Sequence, residues 1–313
     1  MRALSREFYS TPAPRRGGVL EYAEPVMRGW AWLVSVALLA ALAGCSGEPR
    51  TRAVTFANVT PGSPQELDAT LVRPTGDGPF PAVVQLHGCG GLEAQSYRWA
   101  RWFADQGYAA LVVDSFGPRH LKGDCQSSPD EPPITARFDD AFGALRYLQS
   151  LPDIRPDRVA AIGWSQGGVY AMSVINGPSL ERARKRGVEL PAVGFAAAIG
   201  AYPGGCSSLV NEQVIRPLLV LIGAADDWTP AIKCEEMVSA MRSRGANATI
   251  VVYPGAYHYF DVEGEPKEVL AGVENDTKPG GHGATVAYQA AAAADAHRQV
   301  EAFLARYLKA PSR

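Results

Sequence analysis

The residues best suited to chemistry are Gly163-Trp164-Ser165-Gln166-Gly167-Gly168, a G-x-S-x-G pattern that closes an apolar run and opens a helical one. In a strand–turn–helix setting this pattern makes a nucleophile elbow. Glycine at 163 and 167 has a steric task, because a strand turning sharply into a helix brings main chain together where Cβ atoms would collide. The strained turn thrusts the serine hydroxyl outward. The helix that follows points its partly positive N-terminus at the place where an oxyanion develops. A glycine-rich strand end is the plainer reading of the same letters, so the assignment depends on partners.

A serine hydroxyl is a poor nucleophile at neutral pH and needs an imidazole base, whose tautomer a carboxylate must fix. The chain order for this arrangement is Ser, acid, His. His258, His282 and His297 follow a candidate acid. His297 falls in the last helical pattern and reads as a surface or packing residue. His258 lies just past a β-branched run, in Tyr253-Pro254-Gly255-Ala256-Tyr257-His258-Tyr259-Phe260-Asp261, on a loop leaving the carboxyl end of the sheet. Ser165 must lie on that side too, so His258 is the expected base and His282, in a glycine-rich loop, the reserve. Asp226 and Asp227 follow the run Leu218–Ile222. One can face the histidine while the other faces away or caps the helix opening at Pro230. Asp114 precedes the serine and reads as a loop-fixing hydrogen-bond acceptor.

An oxyanion hole needs two main-chain N–H donors. The first is expected from Gln166, and the second from Cys89 in His87-Gly88-Cys89-Gly90-Gly91, which resembles the HGGG-type loop of esterases. His87, ahead of Gly88, reads as a residue that ties this loop down.

These residues need a scaffold that gathers loops at one rim, and the chain alternates short apolar runs with longer helical patterns. That alternation predicts a mainly parallel sheet covered on both faces, an α/β fold. The expected strands are Ala53–Val59, Glu66–Val72, Ala82–Leu86, Ala109–Val113, Arg158–Gly163, Phe195–Gly200, Leu218–Ile222 and Thr249–Tyr253. Helices are expected over Ser96–Gln106, Thr135–Ser150, Gly168–Ile175, Pro230–Ser243 and Tyr288–Leu308. In the last of these, Val300, Phe303, Leu304 and Leu308 form an apolar stripe. Phe116–Pro133 and Glu263–Gly283 have weak signals and read as long loops, functional or mobile. Residues 53–313 are read as a single domain. Of 313 residues, 47% are hydrophobic, which suffices for a full core, and a net charge of −2 supplies no field to hold a phosphate backbone. Nucleic acid is not an expected partner.

The chain resembles the dienelactone hydrolase branch of the α/β-hydrolases over nearly all of residues 53–310. The resemblance rests on Gly163 to Gly168, on Gly223 and Asp226 with Pro230, and on Tyr253 to His258 with Phe260 and Asp261. It implies an α/β-hydrolase fold of about eight strands, and it favours Asp226 over Asp227 as the acid. The family uses a cysteine nucleophile where this chain has Ser165, so the family's substrate is not carried over. Serine-bearing relatives are carboxylesterases, lactonases or uncharacterised hydrolases.

Ahead of the domain, Trp30 to Ala43 is apolar except for Ser35 and runs into Gly44-Cys45-Ser46. These 14 residues are short for a bilayer span, which needs roughly 20, and fit the core of a signal peptide, about 7–15 residues. Leu42-Ala43-Gly44-Cys45 resembles the lipobox of bacterial lipoproteins, in which the cysteine is acylated. Residues 27–44 are therefore expected to be a signal peptide and 45–52 a tether. Ser46 resembles the residue of lipoproteins sorted to the outer membrane, which implies the periplasmic face of the envelope and membrane attachment through acylated Cys45. Residues 1–26, with Glu7, Glu21, Glu24 and three prolines, suit no short positive leader, and translation is expected to start at Met27. Arg15-Arg16 could mark a twin-arginine signal, but acids intervene before the apolar core. In an exported chain, Cys89 is expected to pair with Cys125 and Cys206 with Cys234, each pair joining segments that follow neighbouring strands. Four buried thiols are the plainer alternative. No CxxC or histidine cluster suggests a metal, and no cofactor is expected.

The expected activity is a serine hydrolase acting on small-molecule esters or lactones. A peptidase of prolyl-oligopeptidase type with the same residues, and a lipoprotein whose fold only binds a ligand, are the alternatives.

Overall fold

A computed structural model of the protein describes residues 48–121, 123, 125 and 136–309. The apolar N-terminal segment, Cys45, and Thr135, the expected start of a helix, lie outside the described residues.

Five runs rich in alanine, valine, leucine and isoleucine form the middle of the sheet: β3 (Phe80–Leu86), β4 (Ala109–Asp114), β5 (Ile154–Trp164), β6 (Ala197–Ala201) and β7 (Leu218–Gly223). They are buried on both faces, as near-continuous apolar strands of a covered parallel sheet must be. The outer strands β1 (Arg50–Ala57), β2 (Glu66–Arg73) and β8 (Ala248–Tyr253) are more exposed. The eight-stranded order is β1-β2-β4-β3-β5-β6-β7-β8, with β2 antiparallel to both β1 and β4 and every other pair parallel. Because β3 and β5 to β8 run in one direction, the segments leaving their carboxyl ends emerge at one rim. Those segments carry Cys89, Ser165, Asp226 and His258.

Helices over Ala94–Asp105 (α1), Arg137–Gln149 (α2), Gln166–Ser173 (α3), Gly177–Lys185 (α4), Cys206–Leu209 (α5), Ala231–Ser243 (α6) and Ala290–Leu304 (α7) complete the domain. In α2 the buried residues Phe138, Ala141, Phe142, Leu145 and Leu148 recur at three- and four-residue steps, the stripe that seats a helix on a sheet. On α7 and the π turn after it, Val300, Leu304 and Leu308 are buried and Phe303 packs beside them.

Four elements, α4, α5, β9 and β10, lie where the sequence pattern shows none. Helix α4 begins behind Asn176, whose side-chain oxygen accepts from the Ser179 N–H. The stretch Glu263–Gly283, expected to be loop, contributes β9 (Glu268–Glu274) and, with the residues just after it, β10 (His282–Val286), paired antiparallel. Most of β9 is exposed, so burial imprints no alternation on it, and the pairing slips between His282 and Ala284 at Gly283.

Candidate active site

Ser165 sits between β5 and α3 at φ 52°, ψ −119°, a left-handed conformation costly for a residue with a side chain. Its surroundings hold it there. The Ser165 N–H donates to the Ala201 carbonyl (2.9 Å), and its own carbonyl accepts from Gly168 N (2.9 Å) and Gly204 N (3.2 Å). A methyl group at Gly163 would run into the Gly167 carbonyl, and one at Gly167 into that of Leu86. Only glycine lets strand, turn and helix approach this closely.

His258 is wholly buried, and its Nδ1 lies 2.8 Å from Asp226 Oδ2. Asp226 Oδ1 accepts from the N–H groups of Trp228 (3.0 Å) and Thr229 (2.8 Å), and Oδ2 also accepts from Thr229 Oγ1 (2.9 Å). A carboxylate can only accept, so Nδ1 carries the proton and Nε2 presents a lone pair. Nε2 is buried with no hydrogen-bond partner among the described residues, so it is not bonded to the Ser165 hydroxyl in this conformation. Such bonds are commonly long before substrate arrives. Serine and imidazole nevertheless share neighbours, since the segment Ala201–Gly204 bonds the Ser165 main chain while the Tyr202 ring packs 4.5 Å from the imidazole. Trp228 and Tyr259 rings lie 4.8 and 5.2 Å away.

Asp227 faces elsewhere. Its carboxylate takes the Thr285 N–H and hydroxyl, both at 2.7 Å, and Lys278 Nζ, also at 2.7 Å. Its carbonyl takes Asn275 Nδ2 and Thr277 Oγ1. The hairpin of β9 and β10 thereby hangs on Asp227, and its end meets the His258 main chain, where Ala287 N–H donates to the His258 carbonyl (3.0 Å). Adjacent aspartates thus govern His258 from two directions, Asp226 through the ring and Asp227 through the strand beside it.

A methyl group at Gly88 would come into van der Waals contact with Ser165, so the loop after β3 runs beside the elbow. Neither the Gln166 nor the Cys89 N–H has a hydrogen-bond acceptor among the described residues. His87 Nε2 accepts from the Ser115 N–H (3.3 Å), which leaves Nδ1 to donate to the Gly88 carbonyl (2.7 Å). Burial first, and then the Arg137 guanidinium, hold its pKa well below the usual histidine value. Cys89 is disulfide-bonded to Cys125, and Cys206 to Cys234. A methyl group at Gly123 would run into the Gly90–Gly91 peptide. Asp114 accepts from Phe116 N and Gly117 N, His282 is exposed, and His297 stacks on Trp99 at 4.0 Å. A groove of about 420 Å³ beside β1 and β2, lined by Arg52, Asp68, Leu92, Tyr97 and Asp114, includes neither Ser165 nor His258.

A profile of the dienelactone hydrolase family matches residues 67–308, which takes in Ser165, Asp226 and His258. The chain belongs to the dienelactone hydrolase family. It is similar to a Bradyrhizobium protein described as "Probable 2-oxo-3-(5-oxofuran-2-ylidene)propanoate lactonase", 24% identical over 202 residues covering 61% of this chain and 78% of that one. Among solved structures, dienelactone hydrolase from Anabaena variabilis superposes with a TM-score of 0.53 at 20% identity, covering 84% of this chain and all (100%) of the other. Thermogutta terrifontis esterase 2, phosphorylated by paraoxon, does so with a TM-score of 0.56 at 19% identity, over 82% and 96%. These likenesses show the α/β-hydrolase fold. This dienelactone hydrolase relative carries Ser165 at the elbow rather than cysteine.

Sequence reasoning missed two residues around the site, Tyr202 and Arg137, and named Asp261 without giving it a role. Tyr202 follows β6 in a left-handed turn at φ 35°, and Arg137 opens α2, with no local pattern to mark either. Asp261 stands three residues after His258 in the family motif that names it.

Proposed function

We propose that the protein hydrolyses carboxylic esters or lactones through an acyl-enzyme on Ser165. In this reading His258 Nε2 takes the hydroxyl proton as Oγ bonds the substrate carbonyl carbon. The Gln166 and Cys89 N–H groups receive the oxyanion. Collapse breaks the bond to the alkoxy group, which leaves with the proton from His258. Water then attacks the acyl-enzyme, gives a proton to His258, and releases the acid while Ser165 recovers its own. Asp226 holds the imidazole and stabilises its cationic form. The observation that carries the reading is the buried His258–Asp226 pair at 2.8 Å, whose Nε2 has no hydrogen-bond partner among the described residues, with the Ala201–Gly204 segment touching both the imidazole and the serine elbow.

p-Nitrophenyl acetate hydrolysis and labelling by a fluorophosphonate test it. Both are expected in the wild type and absent in Ser165→Ala. An active, folded Ser165→Ala variant would sink the reading. We further propose that the chain is exported and anchored through an acylated Cys45. Metabolic labelling with a palmitate analogue that survives Cys45→Ala would refute the anchor.

A further inference from the structure

Asp261 is a buried carboxylate with no part in the proposed reaction. Its Oδ2 accepts from the indole N–H of Trp99 and of Trp164, each at 2.9 Å, and its Oδ1 accepts from the Tyr202 hydroxyl at 2.8 Å. The residue is 8% exposed, and no lysine or arginine lies within salt-bridge distance of it among the described residues. A buried anion without a cation is costly, and here three neutral donors, from helix α1, the end of β5 and the turn after β6, take the place of solvent.

The identity of those donors explains why a carboxylate stands there. Indole N–H groups only donate. The Tyr202 oxygen already accepts from Gln95 Nε2 (3.1 Å), so its proton must go to a further acceptor. Convergence of three donors demands a group with two accepting oxygens. The placement is informative too. Trp164 immediately precedes Ser165, Trp99 lies in α1, Tyr202 packs on the His258 ring, and Asp261 follows His258 by three residues. Thr229 Oγ1, which donates to Asp226 Oδ2, also lies 3.3 Å from the Tyr202 carbonyl.

We infer that Asp261 is a positioning residue that fastens the His258 loop and the Tyr202 ring to the Ser165 elbow, setting the approach of Nε2 to the serine hydroxyl. The inference rests on the proposed function, because it concerns how that base reaches that nucleophile. Two main-chain bonds, Ala287 N–H to His258 and Gln289 N–H to Phe260, hold the loop at its outer side. Asp261 supplies the bonds on the side of the serine.

The test compares Asp261→Ala with Asp261→Asn in the full chain on p-nitrophenyl acetate. Asparagine keeps one oxygen for the two indoles and an amide that can donate to the Tyr202 oxygen, whose proton then turns to the Gln95 amide oxygen. Asp261→Ala is expected to lose roughly 30- to 300-fold in kcat with KM within about threefold, and to slow fluorophosphonate labelling of Ser165 in parallel. Asp261→Asn is expected to return to within about tenfold of the wild type. Tyr202→Phe, which removes one bond and keeps the ring, serves if the alanine variant does not fold, with a kcat loss of roughly 3- to 10-fold. The inference is overturned by a kcat for Asp261→Ala, or for Tyr202→Phe in its place, within twofold of the wild type. Equal loss in Asp261→Ala and Asp261→Asn, both folded by near-UV circular dichroism, overturns it as well. An active wild type and a dead Ser165→Ala in the same assay keep the proposed function standing whatever Asp261 does. A wild type that neither turns over nor labels removes that function and this inference together.

Discussion

Arg137 Nη1 donates to Gln166 Oε1 at 2.7 Å while Nη2 of the same guanidinium donates to the His87 carbonyl, so one buried cation ties the loop after β3 to the start of α3. Arg137 is wholly buried, lies between the Phe116 and Tyr170 rings at 5.2 and 5.1 Å, and forms no salt bridge among the described residues. Burial lowers its pKa to about 10, which leaves it charged at neutral pH. Arg137→Met is expected to strand two buried acceptors, costing about 1–3 kcal/mol for each, and to lower kcat roughly tenfold. Arg137→Lys restores part of both. Calorimetric melting and steady-state rates check this, and unchanged rates in the methionine variant would contradict the clamp.

The paired aspartates separate function from support. Asp226→Asn presents an amide to Nδ1 and disturbs the tautomer, so kcat should fall by about 10³–10⁴ with little change in melting temperature. Asp227→Asn should lower the melting temperature more than the rate.

Acid should loosen the hairpin at Asp227 as well. Burial raises the Asp227 pKa, but Lys278 and Thr285 outweigh it, so the carboxyl titrates below its usual value. A depressed folded pKa contributes stability above the unfolded value and loses it as pH falls, here from about pH 4 downward. Hydrogen exchange of the Thr285 amide measured from pH 6 to pH 3 should show protection falling in the wild type more than in Asp227→Asn.

The two disulfides differ in what they hold. Closing loops of 36 and 28 residues, each contributes about 4 kcal/mol on the chain-entropy account. Cys89 belongs to the loop beside the elbow, so Cys125→Ser should lower kcat several-fold along with the melting temperature. A Cys206→Ala, Cys234→Ala double variant should lower the melting temperature and leave kcat within about threefold. Equal effects on rate would argue against a special place for Cys89.

Glu93, beside the loop after β3 that carries Cys89, is expected to disfavour anionic substrates. Burial first, then Glu265 and Asp261, raise its pKa, and its Oε1 packs against Gly90 in the loop after β3. Glu93→Gln removes the charge that develops as the carboxyl ionises, so kcat/KM for p-nitrophenyl hemisuccinate relative to p-nitrophenyl acetate should fall with rising pH in the wild type and stay flat in the variant. Because the folded pKa is raised, stability falls as pH rises through it. The glutamine variant should therefore gain melting temperature at pH 8 and not at pH 3.5.

The sequence by itself determined the sheet and the elbow. Strands buried on both faces are written as unbroken apolar runs, and Gly163 and Gly167 mark a turn that admits no side chain. It also named Asp226 with the help of family resemblance, although the neighbouring aspartates are locally alike. Only the tertiary structure decided which of them meets His258, because that depends on where the β9–β10 hairpin docks, and β9 is too exposed to carry a pattern. The same holds for Arg137, Tyr202 and Asp261. Their side-chain partners lie from 29 to 162 residues away, and a hydrogen bond closed by the packing of distant elements leaves no periodicity in the local chain.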